Sequence, residues 1–115
     1  MKKVLTIAGS DCSGAGIQAD LKTFAAFKTY GMSVITAITA QNTTGVREVF
    51  DIPVNTIENQ LNAVMEDIFP DSIKIGMVSK SETIEVICRS LKAFKCKNIV
   101  VDPVMVSTSG SKLLE

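Results

Sequence analysis

Three observations predict an α/β fold with a mainly parallel sheet. Short apolar, β-branched runs alternate with segments of helical periodicity. Each run ends at glycine, proline or a polar cluster. The periodic segments between runs are long enough to carry the chain back for a parallel neighbour. Four main strands and three helices therefore make βαβ units, with right-handed crossovers and helices over the sheet.

The first strand spans Lys3 to Ala8, an apolar run closed by Gly9. A loop rich in Gly, Ser and Asp follows to Gly14, and Ile17, Leu21, Phe24, Ala25 and Lys28 then fall at helical spacing. Gly31 is the expected stop of that helix, because glycine accepts the left-handed conformation. Ser33 to Ile38 is the second strand, followed by a polar loop at 41–45. Val46 to Ile52 alternates and predicts a half-exposed strand or flap ended by Pro53. Asn55 with Glu58 has the spacing of a helix start, and Ile57, Leu61, Val64, Ile68 and Phe69 form its apolar stripe before Pro70. Ser72 to Ile75 is a short strand closed by Gly76. Ser79 with Glu82 is a second capping-box spacing, and Ile84, Ile87, Cys88, Leu91 and Phe94 mark the third helix. Asn98 to Val101 is the fourth main strand, ended by Asp102-Pro103.

Composition narrows the function. The chain has 115 residues, 46% of them hydrophobic, enough for one domain with a core. Lys+Arg and Asp+Glu are 12 each, which argues against nucleic acid as a partner. The absence of histidine removes Ser-His-Asp and Cys-His catalysis and the usual zinc sites. No apolar stretch approaches membrane-spanning length, and the run after Lys3 is too short for a signal peptide. Cys12, Cys88 and Cys96 form an odd set without a CxxC pair, which suits a reducing cytoplasm. Cys88 is expected to pack on its apolar stripe.

In such sheets ligands bind at the carboxyl ends of the strands. The small and polar residues collect at those four places: 9–16, 39–42, 76–77 and 102–105. Gly14-Ala15-Gly16-Ile17-Gln18-Ala19 matches the dinucleotide fingerprint after a strand and before a helix. The loop is long for that motif, the ribose-binding acid is missing, and no Walker A lysine follows. Asp20 is either a carboxylate favoured by the helix dipole or a ligand acceptor. Gln41 is either loop solvation or a donor–acceptor pair suited to a heterocycle with an amine beside a ring nitrogen. Met77 either fills the core or packs on a flat ring. Asp102 either forms an Asp-Pro turn or serves a phosphate or metal region.

Taken together, the segments at 6–24, Thr39-Ala40-Gln41-Asn42-Thr43, Lys74-Ile75-Gly76-Met77 and Asp102-Pro103-Val104-Met105 resemble the signature of hydroxymethylpyrimidine/phosphomethylpyrimidine kinases. The resemblance runs along the whole chain. It implies a ribokinase-like three-layer α/β/α fold, stopped here after the fourth main strand. It implies transfer of the γ-phosphoryl of ATP, with Mg2+, to 4-amino-5-hydroxymethyl-2-methylpyrimidine and then to its monophosphate, in thiamine biosynthesis. Under it, Gln41 pairs with the ring nitrogen and amine, the backbone at Thr39 meets the amine, and Met77 and Val104 sandwich the ring. Gly9, Ala15 and Asp20 line the pocket near the hydroxymethyl arm, and Asp102 belongs to the phosphate and magnesium region, with no direct metal ligand assigned. The segment 46–52 becomes part of a flap.

Two departures stand out. The family usually has two glycines before Ala15, and this chain has only Gly14. Family members are also much longer, and their second half carries the catalytic residue and most ATP contacts. Residues 1–115 are therefore expected to be the N-terminal, substrate-binding part, with no catalytic residue and no kinase activity alone. The expected partners are the small aminopyrimidine and either a second copy or the missing half. The alternatives are a pyridoxal-type kinase of the same superfamily, a dinucleotide-binding module and a non-catalytic assembly protein.

Overall fold

A computed structural model describes residues 1–78 and 80–102. The elements in chain order are β1 (Lys3–Asp11), α1 (Ile17–Ala26), β2 (Tyr30–Asn42), β3 (Gly45–Asp51), α2 (Val54–Asp67), β4 (Ser72–Ile75), α3 (Ser81–Ala93) and β5 (Ile99–Val101). They form one sheet in the order β3-β2-β1-β4-β5. All pairings are parallel except the β2–β3 hairpin.

Side chains alternate across a strand, so Leu5 and Ile7 of β1 face one way and Thr6 the other. On the first face Leu5, Ile7, Met32, Val34 and Ile73 meet Ile57, Leu61 and Met65 of α2 and Ile87 and Leu91 of α3. This face is the core. On the second face α1 lies over β1 and β2. Helices on both faces give the three predicted layers. Movement outward to β2 on one side of β1 and to β4 and β5 on the other requires this placement if crossovers are right-handed.

Several boundaries differ from the sequence reading, each for a physical reason. β1 and β2 both run further, because Gly9, Ser10 and Asp11 pair with Ala37, Ile38 and Thr39. The polar stretch Thr39–Asn42 is thus strand, not loop. α1 stops at Ala26, and Lys28 takes the left-handed conformation (φ 58°) expected of Gly31. Gly31 lies in β2, where a Cβ would stand 3.1 Å from Leu21, so it allows close packing under α1. The Asn55 start is replaced by Pro53 as the N-cap of α2, with no side-chain cap bond. Lys80 caps α3, and Ser79 lies outside the described residues. Cys88 is exposed. The buried face of α3 is Thr83, Val86, Ile87, Ser90 and Leu91, and Cys88 sits one step round from it. β3, expected to be half-exposed, is exposed along its whole length, since no described helix covers it.

Backbone polar groups left by the irregular sheet are answered locally. Thr36 is the extra residue where the β1–β2 register shifts. Beside it, Gln60 of α2 accepts from the Ile35 N–H and donates to the Ile35 carbonyl, both at 2.9 Å. This amide stands in for a neighbouring strand just before the β3 hairpin takes over at Ala37.

At the amino end of the sheet, Asp71 ties the entry of β4 to β1. The Lys3 N–H donates to its carboxylate at 2.8 Å, and its own N–H donates to the Lys3 carbonyl at 2.7 Å. The bond that the Lys3 N–H donates to the carboxylate, aided by the charges of Lys2, Lys3 and the N terminus, holds the Asp71 carboxyl below its ordinary value. A lowered folded value gives stability that is present above the unfolded value and lost as pH falls through the folded one. Asp71→Asn is therefore expected to lower the urea midpoint at pH 6–7 and to narrow its difference from wild type below about pH 4. Equal differences at both pH values would remove this role for the carboxylate.

Candidate active site

The site lies at the carboxyl end of the sheet, where β1 and β4 send the chain away on opposite faces. Such a switch point leaves a crevice. Here it is a cleft of about 430 Å³. Gly9, Ala15, Asp20, Thr39, Gln41, Met77 and Asp102, all singled out by sequence, line it together. Val104, the other expected ring contact, lies outside the described residues. A second hollow of about 300 Å³ continues under the hairpin and shares Gly9, Thr39, Gln41 and Met77.

The loop between β1 and α1 is short because β1 runs to Asp11. Asp11 is buried, and its Oδ1 accepts from the N–H and the hydroxyl of Ser13, both at 2.9 Å. This closes the turn that carries Ala15 and Gly16. Gly16 has φ 66° and forms an isolated bridge with Ser10. A Cβ there would lie 2.2 Å from the Gly9 carbonyl oxygen. The second glycine of the dinucleotide-like fingerprint is thus used for packing of the loop on β1.

Gln41 stands near the end of β2, two residues from Thr39 and on the same face of the strand. A register shift at Ala40/Gln41 adds a local twist there. The backbone of Gln41 is fixed by Cys12, whose Sγ donates to its carbonyl at 3.2 Å. Its side-chain amide has no protein hydrogen-bond partner among the described residues, which leaves donor and acceptor open to the cleft. Met77 is 44% exposed, so it is a wall of the cleft and not core filling. Gly76 brings β4 close to β1, since a Cβ would stand 2.9 Å from that of Ala8.

Asp20 is in the first turn of α1. Its carboxylate is not a free dipole charge. The Thr6 hydroxyl donates to Oδ2 at 2.6 Å, and the Lys74 ammonium donates at 2.8 and 3.0 Å. Lys74 and Asp11 also line the cleft and were not among the site residues picked from sequence. The signal for Lys74 was present: it is the one charge in the short strand Ser72–Ile75, and an inner strand of such a sheet admits a charge mainly when it is paired.

Among the described residues no three histidine, cysteine, aspartate or glutamate groups converge on a metal position. Magnesium usually keeps phosphate and water ligands with one or two carboxylates. Asp102, just after β5, lines the cleft together with Asp11 and Asp20.

An open α/β sheet with a cleft at its switch point defines the class of protein. A Phosphomethylpyrimidine kinase family model matches residues 11–115. A hydroxymethylpyrimidine/phosphomethylpyrimidine kinase from Rhizobium meliloti is 58% identical over 111 residues, covering 96% of this chain and 41% of the relative. The crystal structure of phosphomethylpyrimidine kinase from Clostridium difficile superposes with a TM-score of 0.94 at 60% identity, covering all of this chain and 50% of that one. A pyridoxal kinase from Staphylococcus aureus, in complex with AMP-PCP and pyridoxal, gives a TM-score of 0.81 at 45% identity over 93% of this chain and 40% of that one. The chain belongs to the phosphomethylpyrimidine kinase family, with the fold of ribokinase-like kinases. It spans about two fifths of the curated relative and half of the closely similar crystal structure.

Proposed function

We propose that residues 1–115 are the N-terminal, substrate-binding part of a kinase that phosphorylates 4-amino-5-hydroxymethyl-2-methylpyrimidine and then its monophosphate in thiamine biosynthesis. The observation that carries this is the Gln41 amide, open to the cleft beside Met77 and Asp20, in a chain of this family. A primary amide can donate to a ring nitrogen and accept from an adjacent amine at once. Met77 supplies an apolar surface for one ring face, and the Asp20 carboxylate supplies an acceptor for the hydroxymethyl group.

ATP is the phosphoryl donor in this reading, supported by the AMP-PCP in the related pyridoxal kinase. Magnesium, when bound, neutralises charge on the transferring phosphates. The part assigned to this chain is to hold and orient the alcohol, with Asp102 near the phosphate side. A cytoplasmic location belongs to the same proposal and is supported by the free thiols of Cys12, Cys88 and Cys96. So does association through an open sheet edge, with a second copy or with further chain. Among the described residues β3 and β5 are the exposed outer strands.

Likeness to pyridoxal kinases makes pyridoxal the informative competitor. Calorimetric titration is expected to show the aminopyrimidine alcohol binding at least about tenfold more tightly than pyridoxal, a difference of about 1.4 kcal/mol. A preference for pyridoxal would replace this reading with the pyridoxal-kinase one.

A further inference from the structure

A lysine within a buried parallel strand is costly unless its charge is answered. Lys74 is the register partner of Thr6 across β1 and β4, so both side chains leave the sheet on the α1 face. Asp20 meets them there from α1. Thr6 is fully buried, and the side chains of Lys74 and Asp20 are 28% and 15% exposed. Three elements thus converge on one carboxylate.

An ionised carboxylate has about four acceptor positions. Oδ2 receives the Thr6 hydroxyl and the Lys74 ammonium, and Oδ1 receives Lys74 alone. One position on Oδ1 is left, and Asp20 is one of the residues lining the cleft. Charge points the same way. Asp11, Asp20 and Asp102 all line this cleft, and Lys74 is the one cation among its described lining residues. Lys74 offsets one of these three negative charges, and Asp20 is the one it touches.

We propose that Lys74 is a positioning residue: with Thr6 it fixes the Asp20 carboxylate and balances its charge, so that the remaining Oδ1 position faces the ligand hydroxyl. This rests on the reading of the cleft as an aminopyrimidine alcohol site.

The test compares Lys74→Met, Lys74→Arg, Asp20→Asn and the Lys74→Met/Asp20→Asn double variant of this chain. Two ligands are titrated, the aminopyrimidine alcohol and its 5-methyl counterpart without the hydroxyl. Lys74→Met is expected to weaken the alcohol about tenfold and to leave the methyl compound nearly unchanged. Lys74→Arg restores most of the loss. The double variant binds no more weakly than Asp20→Asn, because Lys74 acts through Asp20. Additive losses, or equal losses for both ligands, would overturn the proposal. Lys74→Gln serves in place of a Lys74→Met that does not fold.

A ligand-free measurement separates this inference from the functional reading. The Asp20 carboxyl carbon resonance is expected to move in Lys74→Met and to stay near its wild-type position in Lys74→Arg. An unmoved resonance in Lys74→Met sinks the positioning role alone. A moved resonance in a chain that binds neither pyrimidine sinks the aminopyrimidine reading, and the role assigned to Oδ1 with it.

Discussion

Gly16→Ala is expected to destabilise the chain by about 3 kcal/mol or more, lowering its melting temperature by about 10 °C. Two costs add. Gly16 has φ 66° and ψ −125°, a combination that a residue with a Cβ tolerates poorly. The new methyl group would also stand 2.2 Å from the Gly9 carbonyl oxygen, which is backbone and cannot rotate away. The loop must then lift from β1, and the Ser10–Gly16 bridge is lost with it. Because Gly9, Ala15 and Gly16 line the cleft, ligand affinity should fall together with stability. Gly14→Ala is the control. Its φ is also positive, at 115°, but nothing lies within 4 Å of the added Cβ. That variant should lose only the conformational part, about 1–2 kcal/mol. If thermal unfolding shows Gly16→Ala no less stable than Gly14→Ala, the close approach of loop to strand is wrong.

Gln41→Leu is expected to weaken the aminopyrimidine roughly 100-fold or more while leaving the melting temperature within about 2 °C of wild type. Leucine keeps the approximate shape of the side chain and removes both its donor and its acceptor. The ligand amine and ring nitrogen would then be desolvated against an apolar group, at about 1–3 kcal/mol each. Sites built to hydrogen-bond a ligand discriminate strongly for this reason. Stability should hardly change, because the amide makes no protein hydrogen bond among the described residues. Gln41→Glu is expected to fall between, since a carboxylate accepts from the amine but cannot donate to the ring nitrogen. Unchanged affinity of Gln41→Leu by calorimetry would mean that this amide does not face the ligand.

These two residues differ in how far sequence could read them. Gly16 is visible as part of a glycine pattern between a strand and a helix, which suggests a phosphate loop as readily as packing. Only the distance to Gly9 decides. Gln41 is visible as a polar residue after an apolar run. Its assignment to a loop fails because β2 continues to Asn42, held by β1 on one side and the β3 hairpin on the other. Cys88 fails in the opposite direction. Its stripe was legible, but a helical face is about 100° wide, and Ile87 and Leu91 placed its centre away from Cys88. Lys74 was legible as an anomaly without a partner, since Asp20 is 54 residues away along the chain.

By itself the sequence determined the alternation of strands and helices, the four places where chemistry could collect, and the likeness to pyrimidine kinases. Those depend on local periodicity and on motifs, which are properties of neighbouring residues. The tertiary structure decided the strand order, the outward extension of β1 and β2, and the meeting of Thr6, Asp20 and Lys74 on one face. Each of these depends on pairing between segments far apart in the chain. Polar residues at strand ends carry no local signal that says which distant backbone will hold them.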